Sequence, residues 1–289
     1  MKKLIALFAI SLGITVASAD VNLITDRSDF HTKWLVDDFT KDTGIKVNVL
    51  HTEKGLVDRT RKEPNAVVFS KDALKLEKLS QMGVLVDTNV STELYNTDKY
   101  IITSARSRGF YVKKGTKQPL TYLDLIKPEY KGKLCIRKFT HNYNLVLFSH
   151  LYEKFGKSLT SQYINILKGN LARTPKSNDR GQVKGIYDGE CTISVGNSYY
   201  LGLMLRDSEQ VKWANTVDYV EPRNVVLLYS AIGTTKLTDD NKKFLEYVSS
   251  KEVQSKINKN DFEFVNIEEI NIDLSKILKN KEKVYRLIK

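Results

Sequence analysis

Between Val21 and Leu50 the hydrophobic period of the chain switches twice, and that limits the folds open to it. Residues 21–25 read as a short apolar strand. Phe30, Trp34, Leu35 and Phe39 then recur at helical spacing, and Asp42-Thr43-Gly44 stops the helix. Residues 45–50 alternate apolar and polar positions, as a strand does. A β-α-β unit so early requires a crossover, which argues for a mostly parallel sheet and an α/β fold.

The alternation continues. Residues 66–69 read as a strand, 73–82 as a helix ending at Gly83, and 84–86 as strand-like. Phe110 to Val112 closes the first half. A turn-rich stretch with Pro119 and a short helix from Thr121 and Pro128 follow. Residues 134–137 then read as a strand, with helices over 144–155, 161–168 and 182–187. Residues 225–232 form a long apolar strand, 239–248 and 251–257 amphipathic helices, and the chain ends in a charged tail. Two α/β halves with apolar strands at both junctions predict two lobes, a hinge and a cleft. Lobe 1 comprises residues 20–103 and 233–289 and lobe 2 residues 108–227; the crossings lie at 104–107 and 228–232.

The first nineteen residues carry an export signal: Lys2-Lys3, an apolar run over 4–16, and Ala17-Ser18-Ala19 as the cleavage site. This run is too short for a membrane span. The mature chain is expected to start near Asp20 and to work in the periplasm. In that oxidising compartment Cys135 and Cys191 suggest one disulfide, with two buried thiols as the alternative. The formal charge of +12 (46 Lys and Arg against 34 Asp and Glu) permits anionic partners. Its scatter, without an Arg-rich arm or RNA-binding signature, reads as solvated surface rather than a nucleic-acid face.

The stretch from Cys191 to Arg206 concentrates the chemistry. Residues 191–195 read as a buried strand, Gly196-Asn197 as a turn, and a helix then opens on Tyr199-Tyr200, with Asn197 or Ser198 as its cap. In α/β sheets, sites form at the carboxyl ends of strands, beside helix N-termini that favour negative charge. Neighbouring residues on a helix diverge by roughly 100°, so both phenols can lean toward one point in a cleft. The plain alternative is one tyrosine in the core and the other on the surface.

These segments carry a resemblance. Residues 43–49, Tyr130 to Arg137, Asn142-Tyr143-Asn144, Asn178-Asp179, Gly189-Glu190-Cys191, residues 197–202 and Asp261 to Phe264 are similar to the periplasmic ferric-iron-binding proteins, soluble receptors of ABC iron importers. The subgroup in question, bacterial and cyanobacterial, binds iron through several tyrosines. The resemblance implies a two-lobed type II periplasmic-binding-protein fold, no catalytic step, a single-chain receptor and a partner permease in the inner membrane. It also implies that Tyr143, Tyr199 and Tyr200 ligate the metal. Ferric ion is small and hard and prefers anionic oxygen donors, and a bound cation holds a phenol as phenolate.

The first lobe departs from the pattern. Where the family usually carries Arg-His-Tyr, this chain has Arg27-Ser28-Asp29, so Asp29 stands in the tyrosine's place as either a ligand or a helix cap. His31 is read as a surface residue, His141 as an outside candidate, and His51 and His150 carry no signal. Arg106, in Arg106-Ser107-Arg108, matches a family arginine that balances ligand charge or holds a small anion such as carbonate; its plain reading is a solvated strand end. The altered lobe keeps other cargo open: ferrous ion, an iron chelate or a small organic anion. An enzyme on this scaffold is disfavoured by the poverty of histidine and the lack of paired carboxylates in these segments.

Overall fold

The computed structural model describes residues 21–265 and 267–289, and the expected leader at 1–19 lies outside them. The opening unit forms as the periodicity requires: β1 (Val21–Thr25), α1 (Asp29–Thr43) and β2 (Val47–His51), with the two strands parallel. After α2 (Leu56–Thr60), β3 (Val67–Ser70) lies parallel to β1 on its other side, and α3 (Ala73–Gln81) starts from an Asp72 side-chain cap. β4 (Tyr100–Lys113) carries the chain into β5 (Leu134–Cys135), α4 (Asn142–Gly169), α5 (Asp179–Tyr187), β6 (Ile193–Asn197), α6 (Tyr199–Arg206), α7 (Val211–Ala214) and β7 (Val217–Val220). It returns through β8 (Leu227–Thr234) to α8 (Asp239–Ser249), α9 (Lys251–Asp261) and α10 (Leu274–Ile288).

β4 makes one sheet serve two lobes. The strand order is β2-β1-β3-β8-β4-β6-β5, with β7 also on β4. The first half of β4 pairs antiparallel with β8, and from Arg108 onward it pairs with β6 and β7. Residues 104–107 and 228–232 are therefore partners in one ladder, Ser104 opposite Ser230 and Arg106 opposite Leu228. A third segment joins them where Phe264 bridges to Ala105.

Three local readings change. Residues 84–86 make no strand: only Val86 bridges to Thr234, because β4 already occupies that side of β8 from Gly233 back to Leu227. The helices read over 144–155 and 161–168 both form, as the two parts of α4 on either side of a kink at Gly156, whose φ of 75° only glycine adopts cheaply. Gly196-Asn197 is not a turn; both residues pair with β4 inside β6, and neither Asn197 nor Ser198 caps α6 through its side chain. The charged tail is α10. Leu274, Ile277, Val284 and Ile288 recur at helical spacing and are buried, behind an Asp273 cap. Although the sequence places this tail in lobe 1, it lies along α4: Asn280 donates to Glu153 at 2.9 Å and Lys168 to the Ile288 carbonyl at 3.0 Å.

Cys135 and Cys191 form a disulfide with Cα atoms 5.9 Å apart, in a small core with Val183, Ile186 and Met204. It ties the end of β5 to the approach of β6. Where β4 meets β8, a buried ionic network replaces apolar packing. Arg27 donates to Ser230 at 2.8 Å, to Asp261 at 3.0 Å and to Glu263 at 3.2 Å, and Ser104 donates to Glu263 as well. Burial alone would raise the Glu263 carboxyl, but Arg27 and Arg106 outweigh it and hold it down at about 2.

Two outcomes follow from these contacts. Replacing both cysteines with serine frees a loop of 56 residues, and should lower the unfolding free energy by about 2–4 kcal/mol in denaturant melts. Because the Glu263 carboxyl sits below its ordinary 4.5, its contribution is present above that pH and is lost as pH falls toward about 2. Glu263→Gln should therefore lower stability at pH 7 and flatten the fall in urea midpoint between pH 4.5 and 2; a midpoint curve parallel to that of the unmodified protein would contradict this.

Candidate metal centre in the interlobe cleft

Tyr143, Tyr199 and Tyr200 come together from two helix starts. Tyr143 lies in the first turn of α4, and the other two open α6 directly after β6. The rings of Tyr199 and Tyr200 lie 4.1 Å apart, centroid to centroid, and Tyr143 and Tyr200 both line a cavity of about 610 Å³. Burial, then the neighbouring Tyr143, pushes both phenols of the pair up: Tyr199 well above its ordinary 10, Tyr200 to about 12. Without a cation these phenols stay protonated at neutral pH. A metal must displace their protons.

The Asn-Tyr-Asn motif has a structural reason at each position. Asn142 donates to the Asp72 carboxylate at 2.7 Å, joining the start of α4 to the start of α3. Asn144 accepts from Arg108 at 2.7 Å and donates to the Arg137 carbonyl at 3.0 Å. Tyr143 is thereby held between two fixed residues. His141 caps the helix: its Nδ1 accepts the Tyr143 backbone N–H at 3.2 Å, and its ring meets the Tyr143 ring edge-on at 4.8 Å. Burial, with Arg137 and Arg108 nearby, lowers it to about 4, so it is neutral at pH 7.

Three guanidinium groups surround the Tyr143 ring, Arg137 at 5.3 Å, Arg106 at 5.6 Å and Arg108 at 5.7 Å from its centroid. Arg106 is buried, not a solvated strand end; it donates to Ser230 at 3.0 Å and to the Lys71 carbonyl. Arg108 is paired with Asp179 at 2.6 Å. Sequence reasoning named Arg106 but missed Arg108 and Arg137. The signal was present for Arg108, since residues two apart on a strand share a face. Arg137 gave none beyond its place at the end of a strand.

The first lobe contributes differently from the expectation. Asp29 is the first residue of α1, but its side chain is 82% exposed and binds His51 Nε2 at 2.7 Å instead of turning to the tyrosines. His51, which carried no signal, is its partner. His31 is not a surface residue either. Two positions on, α1 turns its side chain inward, 13% exposed, with the ring 6.5 Å from that of Tyr199 and Nδ1 3.0 Å from Asp261. Among the described residues no group of three or more His, Cys, Asp or Glu is placed to hold a metal.

Comparison with known proteins agrees with this architecture. Residues 95–277 match the model of the bacterial extracellular solute-binding proteins, transport receptors rather than enzymes. Iron uptake protein A1 of Synechocystis is 27% identical over 270 residues, covering 85% of this chain and 75% of its own. The ferric iron-binding protein A of Mannheimia haemolytica, solved in an open conformation, superposes with a TM-score of 0.82 at 31% identity, over 93% of this chain and 97% of that one. A Trichodesmium protein solved with iron and citrate ligands gives 0.82 at 27% identity, over 93% and 98%. The chain is a two-lobed binding protein of the bacterial extracellular solute-binding family, related to its periplasmic ferric-iron-binding members.

Proposed function

We propose that this protein captures ferric iron in the periplasm through the phenolates of Tyr143, Tyr199 and Tyr200 and delivers it to an ABC permease in the inner membrane. The observation that carries this reading is the convergence of three phenols from α4 and α6 beside one cavity. Their chemistry suits a hard trivalent cation and few other solutes. The relatives are named for iron uptake and ferric-ion binding, which supports the same reading.

Each ligand must lose a proton, so binding releases protons and weakens as pH falls. Three phenolates neutralise one ferric ion, and the buried Arg27, Arg106, Arg108 and Arg137 then outnumber Asp179, Asp261 and Glu263 by one. A small anion such as carbonate, bound with the metal, restores the balance. Arg106 donates from one terminal nitrogen to Ser230 and from the other to the Lys71 carbonyl, while its buried Nε has no partner, and its charge contributes to that balance. A second reading has an observation behind it too. Six cations, Lys54, Lys71, Lys75, Lys78, Arg137 and Lys281, line the cavity against three carboxylates, Asp26, Glu53 and Asp72, and that net positive rim favours cargo that arrives as an anionic iron chelate.

Titration of the metal-free protein with ferric nitrilotriacetate, followed in the visible, tests both. A phenolate-to-iron charge-transfer band should grow to one equivalent and fade on acidification. The Tyr199→Phe/Tyr200→Phe variant should lose the band and at least about tenfold in affinity. If that variant keeps the same colour and stoichiometry, the phenolate site is wrong. Ferric citrate binding without nitrilotriacetate exchange, at higher affinity than the bare ion, would select the chelate.

A further inference from the structure

We infer that His31 is the first lobe's ligand to the metal held by the tyrosines, bound through Nε2, and that Asp29 is not a ligand. The inference rests on the iron reading above and deepens it by one donor, a neutral nitrogen from the opposite wall of the cleft.

His31 lies in the first turn of α1, just past the carboxyl end of β1. Its ring centroid lies 6.5 Å from that of Tyr199, with 72° between the planes, so α1 brings an imidazole next to the tyrosine pair. Asp261 stands at Nδ1, 3.0 Å away, and the other oxygen of that carboxylate is taken by Arg27 at 3.0 Å. A metal-ligating histidine commonly turns its second nitrogen to a carboxylate, and the imidazole that ligates through Nε2 would carry its proton on Nδ1, the nitrogen beside Asp261.

Nδ1 and the facing Asp261 oxygen are buried but not aligned as a hydrogen bond, and each lacks any other partner. Unmatched polar atoms at that depth are costly.

The other three histidines lack this combination. His51 spends Nε2 on Asp29 and Nδ1 on the Arg27 carbonyl. His141 must keep Nδ1 bare to accept the Tyr143 N–H, which places its proton on Nε2, the nitrogen a metal would need. His150 lies two turns further along α4 and is not among the residues that line the cavity. Asp29 is exposed and paired with His51. The family position is thus vacated, and a residue two places later, on the inward face of the same helix, is left to fill the role.

The test compares the ferric forms of the unmodified protein, His31→Ala, Asp29→Ala and Tyr199→Phe/Tyr200→Phe by visible spectroscopy, pulsed electron paramagnetic resonance and chelator competition. The unmodified protein and Asp29→Ala should show hyperfine coupling from a bound imidazole nitrogen, and His31→Ala should lose it. The same change should move the charge-transfer band and cost about tenfold or more in ferric affinity. Asp261→Asn keeps the ligand but loses its partner, and should weaken binding roughly 10–100-fold with the nitrogen coupling retained. Thermal melts of the metal-free variants establish that each is folded; should His31→Ala fail, His31→Gln replaces it. If the coupling and the band survive in His31→Ala, or if Asp29→Ala is the variant that loses affinity, the inference falls. Absence of any phenolate band in the unmodified protein would instead sink the iron reading itself.

Discussion

A fully buried ion pair between Arg108 and Asp179 sets the geometry of this cleft. Both side chains are completely shielded from water, with nitrogen and oxygen 2.6 Å apart. Removing one partner from such a pair leaves an uncompensated charge at a cost of about 3–5 kcal/mol. Neither residue is free to move, and each holds a tyrosine-bearing helix. Arg108 binds Asn144, the residue after Tyr143. Asp179 accepts the backbone N–H of Asn197, two residues before Tyr199, at 3.3 Å. One interaction thus registers α4 against α6, and the three phenols inherit their positions from it.

The far end of α6 is tied to the other side of the hinge. Arg206 donates to the carbonyl of Lys259 at 3.1 Å and stacks 4.1 Å above the Phe262 ring. Gly202 makes room for that ring; a Cβ there would lie 2.4 Å from it. Phe262 itself has a φ of 56°, a left-handed conformation that costs a bulky residue energy and persists only where its surroundings impose it. On either side of it, Asp261 faces His31 and Glu263 binds Arg27. The segment that clamps the tyrosine helix also holds the first-lobe histidine, so both walls of the cleft are fastened to the same short stretch, 259–263.

What the sequence showed and what it hid have different physical origins. The β-α-β opening, the apolar strands and the paired tyrosines were legible because periodicity and residue type are local properties. The disulfide was legible as well, since two cysteines in one exported chain leave a single pairing. α10 was missed because its lysines masked a sound apolar stripe of Leu274, Ile277, Val284 and Ile288. The first-lobe site was misjudged for a subtler reason. Counting residues placed Asp29 in register with a ligand, but register does not say which way a side chain turns once a helix begins. Asp29 faces solvent and His31 the cleft, and only the partners supplied by Asp261 and Tyr199, from the far end of the chain and from the other lobe, reveal the difference.

The basic character of the chain, read as solvated surface, is concentrated at this site in its buried part. Arg27, Arg106, Arg108 and Arg137 are among the most shielded charged residues of the molecule. Arginine does not give up its proton in proteins, so the positive charge around Tyr143 is permanent. Phenols, in contrast, exchange one proton each for a share of the metal. In the proposed site the fixed arginines favour the anionic donor set once a cation has arrived, while burial keeps the phenols protonated before it does. Lysine in place of these arginines would weaken that arrangement, because a desolvated ammonium can itself shed a proton. A permanent cation, buried and fixed by Asp179 and Glu263, lets metal and protons compete for the same oxygens while its own charge stays constant.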